Sequence, residues 1–485
     1  MNTATAAAGP QYKDLGDIKR LPILISLVIG AFFSILNETL LNIAFRDLMI
    51  ELQVTASTIQ WLSTGYLLVV GILIPVSALL VQWFTTRQMF LGAMVLFALG
   101  TLVCGIAPGF PVLLIGRLIQ AFSTGLMLPV MMNTILILYP PEKRGAAMGS
   151  MGLVIMFAPA IGPTLAGLIL DSMSWRWLFF MVLPFAIFAI VFAAIYLKNV
   201  SEVTKPKVDV LSIILSTLGF GGIVFGFSSA GEGHGGWSSP QVYLSLTVGI
   251  ISLLLFIWRQ LVSKEPMLDM RAFKSPMFSL TTVMLIIVMM SLFSTMLLLP
   301  LFLQGALLMT AFTAGLILLP GGALNGLLSP VTGKLFDKFG PRALVIPGSA
   351  ILVVVMWLFT RISLDTSTGT LIALHSAMMI AISMIMMPAQ TNGLNQLPRK
   401  YYPHGTAILN TLQQVSGAIG VAFFISIMSS GQRDYLAGSS NPNAPAEMAG
   451  ALNAGVHSAF SVGLVFAVVG LILSLFIKRT SAPQE

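Results

Sequence analysis

The sequence predicts an all-α integral membrane protein: two bundles of six helices with an extra helix pair inserted between them. Three observations point there. Hydrophobic residues make up 56% of the 485-residue chain and charged residues only 9%, with a mean hydropathy of +0.93; a soluble domain carries roughly 25% charged residues. The chain divides into fourteen apolar runs, each long enough to cross the hydrocarbon core. The basic residues fall almost wholly on one side of the alternation those runs define.

Taken in order, the runs are 21–45, 58–81, 88–107, 111–138, 147–170, 178–197, 210–229, 241–260, 276–304, 311–333, 342–362, 370–396, 404–429 and 455–477. Turn and charge signals separate them, such as "APGFP", "YPPEKRG", "EGHGGWSSP" and "KFGPR". The first run follows Lys13, Lys19 and Arg20. It is too long for a signal-peptide core and no small-residue cleavage site follows it, so it reads as a retained helix. With the N-terminus inside, 20 of the 25 basic residues fall on the cytoplasmic side, Lys143, Arg144, Lys198, Lys338 and Arg342 among them. Arg46, Arg176, Arg361 and Arg433 fall outside, and Arg117 lies within a span. A missed or invented helix would scramble this pattern, so both termini are expected in the cytoplasm. Charged linkers around spans seven and eight set the expected divisions: residues 1–200 as one six-helix bundle, 201–262 as linker and inserted pair, and 263–485 as the second bundle.

The same charges argue against a nucleic-acid surface. The isoelectric point of 9.6 reflects topology. Cys104, the single cysteine, lies in an apolar run and permits neither an internal disulfide nor a thiolate metal site. The chain has no P-loop, no GxSxG and no His/carboxylate metal spacing. It is therefore read as a non-enzyme without metal or cofactor, and without an ATP site its energy must come from an ion gradient.

Two ionisable residues sit deep inside spans. Glu38 is the only acidic residue placed so, seven residues from the expected outer end of span one at Phe45, and Arg117 lies six residues into span four. At 1.5 Å per residue both are about 10 Å deep. An ionisable group there costs at least roughly 2.5–3.5 kcal/mol and is a functional hypothesis by default. Ser34, Glu38 and Asn42 share one helix face, as do Arg117, Gln120 and Thr124. Two polar stripes at one depth predict a hydrated cavity in the N-terminal bundle. Burial favours the neutral acid and a nearby guanidinium the carboxylate. Glu38 then reads either as a proton-coupling group or as the structural ion-pair partner of Arg117. His375, six residues into span twelve, is a second candidate.

Residues 78–87, "ALLVQWFTTR", and 333–342, "GKLFDKFGPR", occupy equivalent places in the two halves, with Leu80 matching Leu335. The second copy fulfils G-x-L-x-D-[KR]-x-G-x-R. In it Gly333 permits close helix approach, Gly340 and Pro341 make a tight turn, and Asp337 can accept from Lys338, Arg342 or a helix N-terminus. On this motif the chain resembles the major facilitator superfamily. The constellation Leu36-Asn37-Glu38-Thr39 with Asn42 and Ala44, Arg117 with Gln120, and "APAIGPTLAG" at 158–167 resembles its fourteen-helix drug:proton antiporters, the EmrB/QacA-type branch, and within it Gram-positive multidrug and lincomycin-type pumps. "WRWLFF" at 175–180 and "HGTAILNTLQQVSGAIG" at 404–420 belong to the same resemblance.

The resemblance implies proton-coupled export of amphiphilic drugs across a bacterial cytoplasmic membrane by alternating access. Glu38 and Arg117 would couple protons. Asn37, Asn42, Gln120, Asn410 and Gln414 would supply polar groups to the cavity, and Gly162, Pro163 and Gly167 would form the antiporter motif. The family aspartate is Asn37 here, with the carboxylate one residue later. The Met- and Phe-rich stretches "VMLIIVMMSLFSTM" and "SAMMIAISMIMM" suit promiscuous apolar ligands. One embedded acid predicts neutral or monocationic cargo over dications. Monomer is the default, since one chain holds both halves. Sodium fits as well as protons, and an uptake symporter of the same fold or a non-transporting membrane sensor or scaffold are the alternatives. The sequence does not name the cargo.

Overall fold

The structure is a computed structural model and describes residues 20–138, 158–159, 161–199, 209–230, 236–263, 266–398, 401–442 and 444–480. Lys143, Arg144, the first half of span five and the linker at 201–208 lie outside the described residues. In lipid every backbone polar group must be satisfied within the protein, which leaves the helix as the economical way to cross. The described residues form thirteen helices long and apolar enough to span, plus the shorter Ile161–Leu170.

In chain order they are α1 (Arg20–Leu52), α2 (Trp61–Trp83), α3 (Thr86–Gly105), α4 (Phe110–Leu138), α5 (Ile161–Leu170), α6 (Val182–Tyr196), α7 (Val210–Ala230), α8 (Pro240–Val262), α9 (Pro276–Gly305), α10 (Ala311–Phe339), α11 (Arg342–Phe359), α12 (Thr368–Asn395), α13 (Tyr402–Ala437) and α14 (Pro445–Leu475). α1 runs seven residues past the expected end at Phe45. The added turns carry Arg46, Asp47 and Glu51, and they stay helical because Glu51 is held: Arg176 donates to it at 2.7 Å and the Trp175 indole at 2.9 Å.

The two halves repeat in three dimensions. In the first, α4 packs on α1, α2 and α3, and α6 packs on α1 and α3; adding eight to each helix number gives contacts found in the second. The repeated arginines do equivalent work. Arg87 donates to the carbonyl of Ala194 near the end of α6, and Arg342 to Ile477 just past α14, at 2.7 Å. Each ties the turn between its half's second and third helices to the last helix. Leu197 and Ile477, which follow those last helices, are both buried.

Besides the contact of α1 with α9, two seams join the halves. In one, α5 meets α10: Thr164 donates to Gly315 O at 3.1 Å, and Asp171 accepts from Phe312 N at 3.2 Å, at the start of α10. Gly167 is needed there, because a Cβ on it would lie 2.5 Å from Ala311 O. In the other, α2 meets α13. The inserted pair covers this second seam: α7 packs on both α2 and α13, and Gln60 donates to Ser228 at 3.0 Å. α8 is the outermost helix, exposing Leu244, Leu254 and Trp258. Such an apolar face is stable only against lipid.

The far end of the pair is closed by charge. Asp209 accepts from Arg259 Nη2 at 2.8 Å and Nε at 3.0 Å, and from the backbone and hydroxyl of Ser212 in the first turn of α7. Burial pushes the Asp209 carboxyl up, but the hydrogen bonds from Arg259 and Ser212 outweigh it and hold the group below its usual value. A lowered carboxylate stabilises the folded state above the unfolded value of about 3.9, and the contribution disappears as pH falls through the folded value.

Two outcomes follow. Asp209→Asn lowers stability by about 0.5–1 kcal/mol at neutral pH, and in thermal melts the difference from wild type shrinks as pH falls through the lowered folded value of the carboxyl. Gly167→Val forces α5 off α10 and costs on the order of 1–3 kcal/mol, with hydrogen exchange rising at Ala311 and Phe312 and unchanged in α8.

Candidate functional site

Arg117 organises the site. It is fully buried in α4. Nη1 donates to Asn37 Oδ1 at 2.8 Å and to Gln120 Oε1 at 3.0 Å, with longer contacts to the Asn37 carbonyl and, from Nε, to Leu62 O, both at 3.4 Å. The guanidinium lies over the Tyr66 ring, 4.2 Å from its centroid. Tyr66 is fixed in turn by a 2.6 Å hydrogen bond with Thr124, and Gln120 by donating to Thr101 at 2.8 Å. Nη2 has no partner among the described residues.

Glu38 is half-buried and faces a cavity of about 350 Å³ of empty space, much of it interstitial, with room only for water-sized guests. No hydrogen bond or ion pair to Glu38 is present among the described residues. The direct ion pair with Arg117, one of the two readings of Glu38, is therefore absent among the described residues: Nη1 and Nε go to neutral acceptors and Nη2 is unpartnered. The cavity wall is divided by origin. Glu38, Thr39, Asn42, Ser63, Tyr66, Leu67 and Arg117 come from the first half, and Phe293, Met296, Leu297 and Val421 from the second. Asn42 accepts from Ser63 at 3.0 Å.

The structure thus brings Glu38, Arg117 and Asn42 to one cavity and sets Asn37 and Gln120 behind Arg117 as its supports. It does not bring Asn410 or Gln414 there; Gln414 packs its stem near Gly71 on the α2–α13 seam. His375 is buried against Gly321 of α10, away from the cavity. Of the two Met-rich stretches, the first supplies Phe293 and Met296 and the second lines none of the wall. Sequence reasoning missed Ser63 and Tyr66. They stand three apart on α2, a shared face that neutral side chains leave inconspicuous.

The motif residues lie elsewhere. Gly162 packs against Thr39 of α1, and Pro163 against Gly315 across the first seam. Gly340 has φ +78 and ends α10, as a tight turn requires. A Cβ at Gly333 would meet nothing within 4 Å, so in this conformation it serves no close approach. Asp337 is exposed, and it is its backbone carbonyl that accepts, from Arg479 at 2.9 Å. Lys338 lies over Phe339. Among the described residues no group of three or more His, Cys, Asp or Glu stands close enough to hold a metal ion.

A cavity between two repeated bundles, walled by both, is the architecture of a membrane transporter, and comparison with known proteins agrees. The Major Facilitator Superfamily model matches residues 27–421. The chain belongs to that family and is a multi-pass bacterial membrane protein. It is 58% identical over 475 residues to the lincomycin resistance protein LmrB of Bacillus subtilis, covering 98% of each chain, and 55% identical over 462 residues to that of Listeria monocytogenes, covering 95% of this chain and 98% of the relative. Among solved structures, a POT family transporter in complex with 5-aminolevulinic acid aligns with a TM-score of 0.68 at 14% identity, covering 96% of this chain and 97% of that one. An inward-facing bacterial homologue of the human lysosomal transporter Spinster gives 0.66 at 12%, covering 93% and 95%. These two speak to the fold alone.

Proposed function

We propose that the protein is a proton-coupled exporter of amphiphilic drugs, with lincosamide-like compounds among its cargo, and acts as a transporter and not an enzyme. One observation carries the reading: a lone carboxylate, Glu38, stands unpaired on a cavity at the meeting of the two halves, with a buried guanidinium behind it. The relatives' name, lincomycin resistance protein, supports the cargo class. In this reading the chain spans the membrane fourteen times with both termini cytoplasmic. Residues 1–200 and 263–485 are the moving halves, 201–262 carry the inserted pair, and the unit is a monomer.

The geometry supports the following cycle. The α5–α10 seam and the contacts of Gln304 with Ile43 O and of Ser57 with Ser429 close one end, read as the outer one. Protonated Glu38 is neutral and permits the apolar wall to close over it. Deprotonated Glu38 holds a cationic cargo or water and favours the other arrangement. Only such differential affinity for two states can move the equilibrium. Pro163 and Gly167 let α5 and α10 meet and part while Gly162 seats α5 on α1, and Gly333, Asp337, Lys338, Gly340 and Arg342 form the opposite latch. Asn42 and Ser63 offer polar contacts to the cargo.

The test is proton release from purified protein in detergent on adding lincomycin or tetraphenylphosphonium. Wild type releases protons, and Glu38→Gln, folded to the same extent, releases none. Everted vesicles load drug when energised; unloading on energisation would instead mark uptake. The single acid also sets a selectivity: neutral and monocationic compounds are exported at least roughly tenfold better than dications, the equivalent of about 1.4 kcal/mol. A resistance panel led by dications would overturn this.

A further inference from the structure

A cation buried this deeply ordinarily takes an anion as its partner. Here a carboxylate is one residue away from the partner chosen, and it is passed over. Every direct acceptor of Arg117 is neutral: the Asn37 amide and carbonyl, Gln120 and the carbonyl of Leu62. The ring of Tyr66 covers one face of the guanidinium, and Thr124 fixes that ring. Glu38 follows Asn37 and points about 100° further round α1, into the cavity. Asn37 holds Nη1 at 2.8 Å, and Nη2, left without a partner among the described residues, makes no ion pair with Glu38 in that position.

We propose that Asn37 is a positioning residue: its side-chain oxygen parks the Arg117 guanidinium to one side of Glu38, so that the carboxylate stays unpaired and open to a proton or a cationic cargo. The inference rests on the reading of Glu38 as the proton carrier. A direct guanidinium pair would keep a carboxylate ionised over one to three further pH units, roughly. Cargo would then have no proton to displace. Held at a remove, Arg117 supplies positive field without closing the site. The groups facing Glu38 are few. From α2 come Ser63 and Tyr66, from α4 Arg117, and from α9 and α13 only apolar side chains. A change in the charge or position of Arg117 is therefore read directly by Glu38.

Two substitutions at the one position move this in opposite directions. Asn37→Asp gives Arg117 a carboxylate partner, which cancels its field and adds a negative charge beside Glu38. Asn37→Leu keeps the volume but removes the acceptor, freeing Nη1 to swing onto Glu38. The measurement is proton release triggered by tetraphenylphosphonium over a pH series, with Glu38→Gln alongside. The pH of half-maximal release rises by about one unit or more in Asn37→Asp and falls by a similar amount in Asn37→Leu. If Asn37→Asp does not fold, the downward shift in Asn37→Leu decides the matter. Profiles that stay at wild type, or that move together in one direction, overturn the positioning role while the silence of Glu38→Gln still upholds coupling. Release from Glu38→Gln overturns the coupling reading, and this one with it.

Discussion

The buried charge of Arg117 is the constraint around which the first bundle is assembled. A guanidinium cannot be left bare in a membrane interior, and its acceptors come from different helices: Asn37 on α1, Leu62 and Tyr66 on α2, and, through Gln120, Thr101 on α3. One side chain on α4 therefore fixes how four helices meet. Among the described residues the second bundle has no such buried guanidinium. In the register that pairs Pro129 with Pro388 and Asn133 with Asn392, Arg117 corresponds to Ser376. The two halves share a backbone plan but not a charge plan, and the polar wall of the cavity comes from the half that carries the charge.

The repeat explains the seams. With a shift of eight, the α5–α10 contact becomes α13–α2, so one structural solution is used twice. The sequences bear this out where the structure points: "AIG" at 160–162 matches "AIG" at 418–420, and "LKN" at 197–199 matches "IKR" at 477–479. The difference lies in what covers each seam. The α2–α13 seam is roofed by α7, fastened there by Gln60 and Ser228, while Asp209 and Arg259 tie α7 to α8 outside it. Rocking the halves must carry that roof along. The hydrogen bond between Gln60 and Ser228 resists sliding of this cover by only about 1 kcal/mol.

Much of this was legible in the sequence, for physical reasons. A bilayer makes helices obligatory, so run length and basic-residue placement outline the spans. Embedded charge is expensive, so Glu38 and Arg117 stand out without any structure. What stayed hidden depends on directions the sequence does not carry. Whether Arg117 meets Glu38 or Asn37 turns on one residue's worth of helix rotation. Asn410 and Gln414 share a helix and, at eleven and seven residues, a face with the cavity-lining Val421, but they stand about 16 and 10 Å further along the axis. Tyr66 supports Arg117 through its ring, an interaction with no polar signature. The overrun of α1 past Phe45 needed Arg176 and Trp175, which lie more than a hundred residues away.

The division of the cavity wall has a consequence for recognition. Phe293, Met296, Leu297 and Val421 offer area without direction, and a thioether and an aromatic ring adapt to many shapes. The opposite wall concentrates its chemistry in one unpaired carboxylate and a few hydroxyl and amide groups. In the proposed function, cargo is asked for two things only, an apolar surface on one side and at most one positive charge on the other. The same carboxylate must be neutral for the apolar wall to close against it at low cost. In the proposed cycle, charge reading and conformational switching therefore reside in a single group. A site built this way can be tolerant of structure and still strict about net charge, because tolerance and strictness come from different halves of the protein.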